Sequence, residues 1–186
     1  MLVWTADQNL YLSGFMASGK TTAARRLAAT LRLPWYDTDN LIEQRFGLSI
    51  PEIFERHGEP YFRQVEHEVV QEIVQQRPAV VSLGGGVVLD SESVSILKQT
   101  GKIVCILPSA EVLWQRLRGK RNRPLLLAKT EEQQKRKLLD LYEKRAPIYR
   151  QVADLMLEPQ KERHPAVTVH EILTWLRENG WVKLSE

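Results

Sequence analysis

Eight residues restrict most strongly what this chain can fold into. Gly14-Phe15-Met16-Ala17-Ser18-Gly19-Lys20-Thr21 has the spacing G-x-x-x-x-G-K-[ST] and follows directly on the apolar run Asn9 to Ser13. A loop of this kind turns backbone N–H groups inward around an anion, and a helix beginning near Gly19 points its positive end at the same place. Lys20 then reaches the β- and γ-phosphates of a nucleotide, and Thr21 offers its hydroxyl to Mg²⁺. Upstream the pattern is strand-like; downstream Ala23, Ala24, Leu27, Ala28 and Leu31 recur at helical spacing. The plain alternative is a chance glycine turn. It is disfavoured because both glycines, the Lys-Thr pair and the strand-loop-helix context coincide.

At 186 residues the chain reads as one globular domain, 1–186, long enough to bury a single core. Hydrophobic residues at 43% and charged residues at 26% are ordinary for a soluble enzyme, which lowers the weight of disordered and membrane classes. The apolar run around Leu10 to Ala17 is too short to span a bilayer and has neither a basic start nor a cleavage site, so a cytoplasmic location is expected. Cys105 is the sole cysteine, in the strand-like run 102–107, which excludes an internal disulfide and suggests a buried thiol. His57, His67, His164 and His170 lack ligand spacing, so any metal is expected to arrive with the nucleotide. A net charge of +3 is too small to imply a nucleic-acid partner.

Five short runs read as strands: Asn9 to Ser13, Pro34 to Tyr36, Ala79 to Leu83, Lys102 to Leu107 and Ala153 to Leu157. They alternate with helices, and several are apolar throughout, as expected of strands covered on both faces of a parallel sheet. The class is α/β, doubly wound. Between the second and third strands lies a helix-rich excursion, about 39–77, in which Phe62, Val65, Val69, Val70, Ile73 and Val74 share one helical face while Arg63 falls off it. This excursion is a natural substrate-binding element. A second excursion, about 118–129, holds Arg118, Lys120, Arg121, Arg123 and Lys129 around Pro124 and reads as a basic lid; a solvated loop is the alternative, against which Pro124, Leu125 and Leu126 argue. Pro147 is expected to end or kink its helix just beyond Arg145.

After the second strand comes Asp37-Thr38-Asp39, two carboxylates on the same side if the strand continues, where ligands bind in open α/β sheets. The third strand runs into Ser and Gly without a terminal Asp, which leaves Asp37 as the best carboxylate for a metal shell. The competing role for either Asp is to cap the next helix.

Here the chain resembles the shikimate kinases of the P-loop kinase superfamily. The likeness runs through the phosphate loop, Asp37 to Glu43, Ile53-Phe54, Gly58 to Glu66, Gly84-Gly85-Gly86, Arg123 to Leu126 and Lys144 to Tyr149, in the family's order. It implies a three-layer α/β/α fold with a central five-stranded parallel sheet, a helical substrate-binding excursion and a mobile lid. The implied reaction is ATP-dependent phosphorylation of shikimate at its 3-hydroxyl, with Mg²⁺, in chorismate biosynthesis. By position, Arg63 and Arg145 hold the shikimate carboxylate, as guanidinium forks suit. Asp39 contacts the hydroxyls and orients or deprotonates the attacking one. Gly84, Gly85 and Gly86 let the ring approach the backbone, and Arg123 swings from the lid onto the transferring phosphate.

The expected nucleotide side comprises Gly14, Ala17, Ser18, Gly19, Lys20, Thr21 and Thr22, and the resemblance adds Arg123 from the lid and Arg116, Arg163 and Pro165 at the adenine; Thr21 and Asp37 are expected to serve the metal. Arg116 is alternatively a plain surface residue. Glu66, one turn after Arg63, either orients that guanidinium or forms a surface pair. Trp35 and Trp114 read as packing residues. Ala17 departs from the family's usual glycine and costs about 1 kcal/mol if a left-handed backbone is required there. The expected partners are ATP and shikimate, with no nucleic acid and no membrane, and a monomeric state. The rival readings are another small-molecule kinase, acting on gluconate or a nucleotide, and an inactive nucleotide-binding module.

Overall fold

A computed structural model describes residues 2–120 and 123–185; Arg121 of the basic lid lies outside the described residues. Strands β1 (Leu2–Trp4), β2 (Asn9–Ser13), β3 (Trp35–Asp37), β4 (Val80–Ser82), β5 (Gly101–Ile106), β6 (Leu155–Leu157) and β7 (Val182–Leu184) are joined by seven helices. These are α1 (Lys20–Leu31), α2 (Thr38–Phe46), α3 (Ile50–Ile73), α4 (Ser91–Thr100), α5 (Ala110–Leu117), α6 (Glu131–Val152) and α7 (Pro165–Glu178). The apolar runs pair as a wholly parallel sheet in the order β3-β4-β2-β5-β6.

Alternation along the strands sends side chains into two cores. Leu10, Leu12, Val80, Val104 and Ile106 meet the α1 and α7 residues Leu27, Leu31, Ile172 and Leu176. Tyr11, Val81, Ile103 and Cys105 face the other way, against residues of α3 to α6 such as Ile73, Leu97, Leu113 and Leu138. Each fully buried aliphatic side chain contributes about 1.5–3 kcal/mol relative to exposure, so the two faces together hold the three layers. The excursion has a small core of its own, in which Ile42 of α2 meets Ile53, Phe62, Val65 and Val69 of α3. Ser49 and Glu52 form a capping box at the start of α3, and Gly58 breaks it with a glycine-only backbone at φ 80°, ψ 169°.

Two expectations are corrected, and one element went unforeseen. The second strand stops at Asp37 instead of continuing: Asp37 Oδ1 accepts from the Asn40 N–H at 3.2 Å, so helix α2 begins at Thr38 and capping defeats strand extension. Pro147 does not end its helix; α6 runs on to Val152, because Ala146, Tyr149 and Val152 are buried and their packing outweighs the lost N–H. The terminal ribbon of β1 antiparallel to β7, closed by an edge-on Trp4–Trp181 pair at 5.3 Å, has no turn or long periodic run to announce it. Among the described residues no helix is long and apolar enough to cross a membrane.

Candidate active site

The carboxyl ends of β2, β3 and β4 open onto one cavity of about 470 Å³. The phosphate loop forms its floor. Gly14 stands at φ 147°, where a Cβ would lie 2.1 Å from the Ile106 carbonyl oxygen, so only glycine fits. Gly19, at φ 96°, delivers the chain into α1 with Lys20 as its first residue. Ala17 is left-handed at φ 60°, and its carbonyl oxygen accepts from Arg116 Nη1 at 2.8 Å. The Thr21 hydroxyl donates to Asp37 Oδ2 at 3.0 Å and lies 3.1 Å from Ser82 Oγ.

The opposite wall comes from the excursion and from α6. Arg63, Glu66, Asp39 and Arg145 line the same cavity as Lys20 and Thr21, with Ile50, Phe54 and Phe62 as an apolar side. Arg63 donates to Glu66 Oε2 at 2.6 Å and to Glu59 Oε1 at 2.9 Å. Glu66 is buried, which excludes a plain surface pair; burial pushes its carboxyl up to about 7, with Asp39 adding to the rise while Arg63 and Arg145 oppose it. Enclosure likewise raises the Asp39 carboxyl, against the pull of Lys20 and Arg123, and nearby Asp37 adds to the rise. Asp39 is partly exposed and lines the cavity.

Between the two walls lies the turn 84–86, whose glycines are required for close approach. A Cβ on Gly84 would come within 2.6 Å of carboxylate oxygens of both Asp39 and Glu66, and one on Gly86 within 1.9 Å of Arg63 Nη1. The lid enters through Lys120, Arg123, Pro124 and Leu125. The Nε of Arg123 is buried without a hydrogen-bond partner among the described residues. Lid ends are tied to α6, where Gln134 Nε2 donates to the Lys120 carbonyl at 3.0 Å.

Ser18, Gly19, Thr22, Arg116, Arg163 and Pro165 border a second hollow of about 220 Å³ beside the loop. Arg116 also forks onto Glu162 at 2.7 and 2.9 Å, and Arg163 onto Glu171, so both guanidinium groups are held by carboxylates. Trp35 and Trp114 pack against the two cores. Sequence reasoning missed Ser82, although it stands where the third strand lacked an Asp, and the apolar wall of Ile50 and Phe54. Thr38 and Tyr149 were missed too, each buried beside a predicted site residue.

A phosphate loop at the carboxyl edge of a parallel sheet, with arginines facing it across one cavity, places the chain among the P-loop phosphotransferases. Comparison with known proteins narrows that class. The family model for shikimate kinase matches residues 16–177. The chain is 38% identical over 171 residues to the shikimate kinase of Aquifex aeolicus, covering 92% of this chain and 97% of that one. It is 41% identical to the shikimate kinase of Pseudomonas syringae pv. tomato, with the same coverage. The structure of shikimate kinase from Acinetobacter baumannii in complex with shikimate superposes with a TM-score of 0.87 at 35% identity, covering 93% of this chain and 94% of that one. The chain belongs to the shikimate kinase family.

Proposed function

We propose that this enzyme moves the γ-phosphoryl group of Mg·ATP onto the 3-hydroxyl of shikimate, giving shikimate 3-phosphate and ADP in chorismate biosynthesis. The observation that carries the reading is a single cavity of about 470 Å³ in which Lys20 and Thr21 face Asp39, Arg63 and Arg145. Phosphate-handling and acceptor-handling groups thus share one enclosed space, which suits direct in-line transfer without a covalent enzyme intermediate.

Arg63 and Arg145 are assigned to the shikimate carboxylate. The Glu66 and Glu59 contacts hold the Arg63 fork in one orientation. Asp39 is assigned to align the 3-hydroxyl and take its proton as the bond to phosphorus forms; a raised carboxyl is the better proton acceptor. Lys20, Arg123 and the loop amides stabilise charge on the transferring group, and closure of 118–129 excludes water. Gly84, Gly85 and Gly86 leave room for the ring.

The Thr21 hydroxyl lies 3.0 Å from the Asp37 carboxylate and 3.1 Å from the Ser82 hydroxyl, an all-oxygen donor set that fits a hard cation. Thr21, Asp37 and Ser82 would hold Mg²⁺ there, and the ion would supply positive charge to the phosphates. Arg116, Arg163 and Pro165 are assigned to the adenine side. The reading includes a single domain, 1–186, acting as a monomer in the cytoplasm; groups for both substrates already line one cavity of this chain.

An ADP-release assay at fixed Mg·ATP, with shikimate, gluconate and nucleoside monophosphates offered separately, tests the reading. Stimulation by shikimate alone is expected. Stimulation by another acceptor, or by none while ATP still binds, overturns it.

A further inference from the structure

The glycine turn 84–86 is held on two sides by the hydroxyl groups of buried residues. The Gly84 N–H donates to Thr38 Oγ1 at 2.7 Å, and Thr38 is 0% exposed. From the far side, the Tyr149 hydroxyl donates to the Gly85 carbonyl, and Tyr149 is also 0% exposed. The same turn lies against the phosphate loop: a Cβ on Gly85 would stand 3.5 Å from the Gly14 carbonyl oxygen and 3.6 Å from the Met16 nitrogen. Thr38 immediately precedes Asp39, and Tyr149 sits one helical turn beyond Arg145 on α6.

We propose that Thr38 and Tyr149 are positioning residues, two buried hydroxyls that register Asp39 and Arg145 on the glycine turn and, through it, on the phosphate loop. The argument is geometric. Three chain segments far apart in sequence must place a carboxylate, a guanidinium and a phosphate cradle to a fraction of an ångström, and misplacement by about 1 Å costs on the order of 100-fold in rate. The turn touches all three. Phe at 149 and Val at 38 would fill the same space, so packing does not require either oxygen. Removing one leaves the buried Gly84 N–H or the partly buried Gly85 C=O without its partner, and the turn relaxes toward other partners.

This inference rests on the shikimate reading. The test compares wild type with Thr38→Val, Thr38→Ser and Tyr149→Phe, following ADP and shikimate 3-phosphate in the same reaction. Thr38→Val and Tyr149→Phe lower kcat by ~10-fold, equivalent to about 1.4 kcal/mol, with KM for ATP within about twofold of wild type. ADP formed per shikimate 3-phosphate rises above one, because a misaligned acceptor lets water attack: the bond from γ-phosphorus to the ADP oxygen breaks, one to the water oxygen forms, and a proton is released. Thr38→Ser keeps the oxygen and restores turnover and stoichiometry. Hydrogen exchange across 83–87, read without substrate, quickens in Thr38→Val and Tyr149→Phe. A merely structural role lowers folded yield but leaves the ratio at one and kcat per folded molecule unchanged; that result, or unchanged exchange, overturns the proposal. Should Tyr149→Phe fail to fold, the Thr38 pair decides. Absence of shikimate-dependent product in wild type sinks the functional reading instead, and exchange still judges the turn.

Discussion

Ala17 occupies left-handed space at φ 60° inside the phosphate loop, where the family usually has glycine, so the backbone requirement foreseen from sequence is real. Strain there costs about 1 kcal/mol. The Arg116 bond to its carbonyl helps to hold it. Ala17→Gly removes that strain but adds unfolded-state entropy worth ~0.5 kcal/mol, so Tm rises by no more than about 1–2 °C in a thermal melt. Its kcat/KM for ATP is expected to stay level or rise; a large fall would mean that the methyl group is adapted to the site. Glu66 gives a pH signature. Its carboxyl, ordinarily at 4.5, sits at about 7 when folded, so between these values the native state keeps a proton that the unfolded chain has released. Stability contributed by protonated Glu66 is therefore full below 4.5 and is lost as pH rises toward 7. Urea unfolding of wild type at about pH 5 and about pH 7.5 shows this decline, up to roughly 3 kcal/mol. Glu66→Gln flattens it; an equal decline in the variant assigns the effect to another group.

In α3, the element that carries Arg63 and Glu66, direction is set by Gly58. Phe54 before the kink and Phe62 and Arg63 after it all line the cavity, so the angle of the kink sets the apolar wall against the guanidinium. Gly58→Ala forces an alanine into φ 80°, ψ 169° at a cost of about 1–3 kcal/mol. Tm falls and KM for shikimate rises in steady-state assays, while KM for ATP stays put; equal movement of both constants shows a general loosening. How far such elements were legible depended on period. The stripe Phe62, Val65, Val69, Val70, Ile73 and Val74 is buried as its 3.6-residue spacing requires. The kink was not legible, since a Gly two residues before Pro60 marks a bend but not its angle. Asp37 was legible twice over, as cap and as neighbour of Thr21, because one carboxylate has two oxygens to spend. Of the end or kink expected at Pro147, the end does not occur, because the buried face carries α6 past it.

Across the whole molecule, the parallel sheet and the position of the site followed from apolar runs and one glycine loop, since parallel sheets bind at the carboxyl edge, whereas the strand order did not. What stayed hidden was long-range pairing: the β1–β7 ribbon joins chain ends, and the Thr38 and Tyr149 bonds to the glycine turn join segments that no local pattern links. Cys105 belongs to this scale as well. It is the only thiol in the chain, it lies in the central layer at 0% exposure, and burial pushes it up to about 12. A disulfide reagent therefore reaches it only after the sheet opens. Under native conditions its labelling is expected to be slow and to slow further with ATP and shikimate present, by mass action on the closed state; rapid labelling that ignores both ligands would reveal local breathing of β5. The chain thus carries a single-event clock at its centre, able to time its own unfolding without an engineered probe.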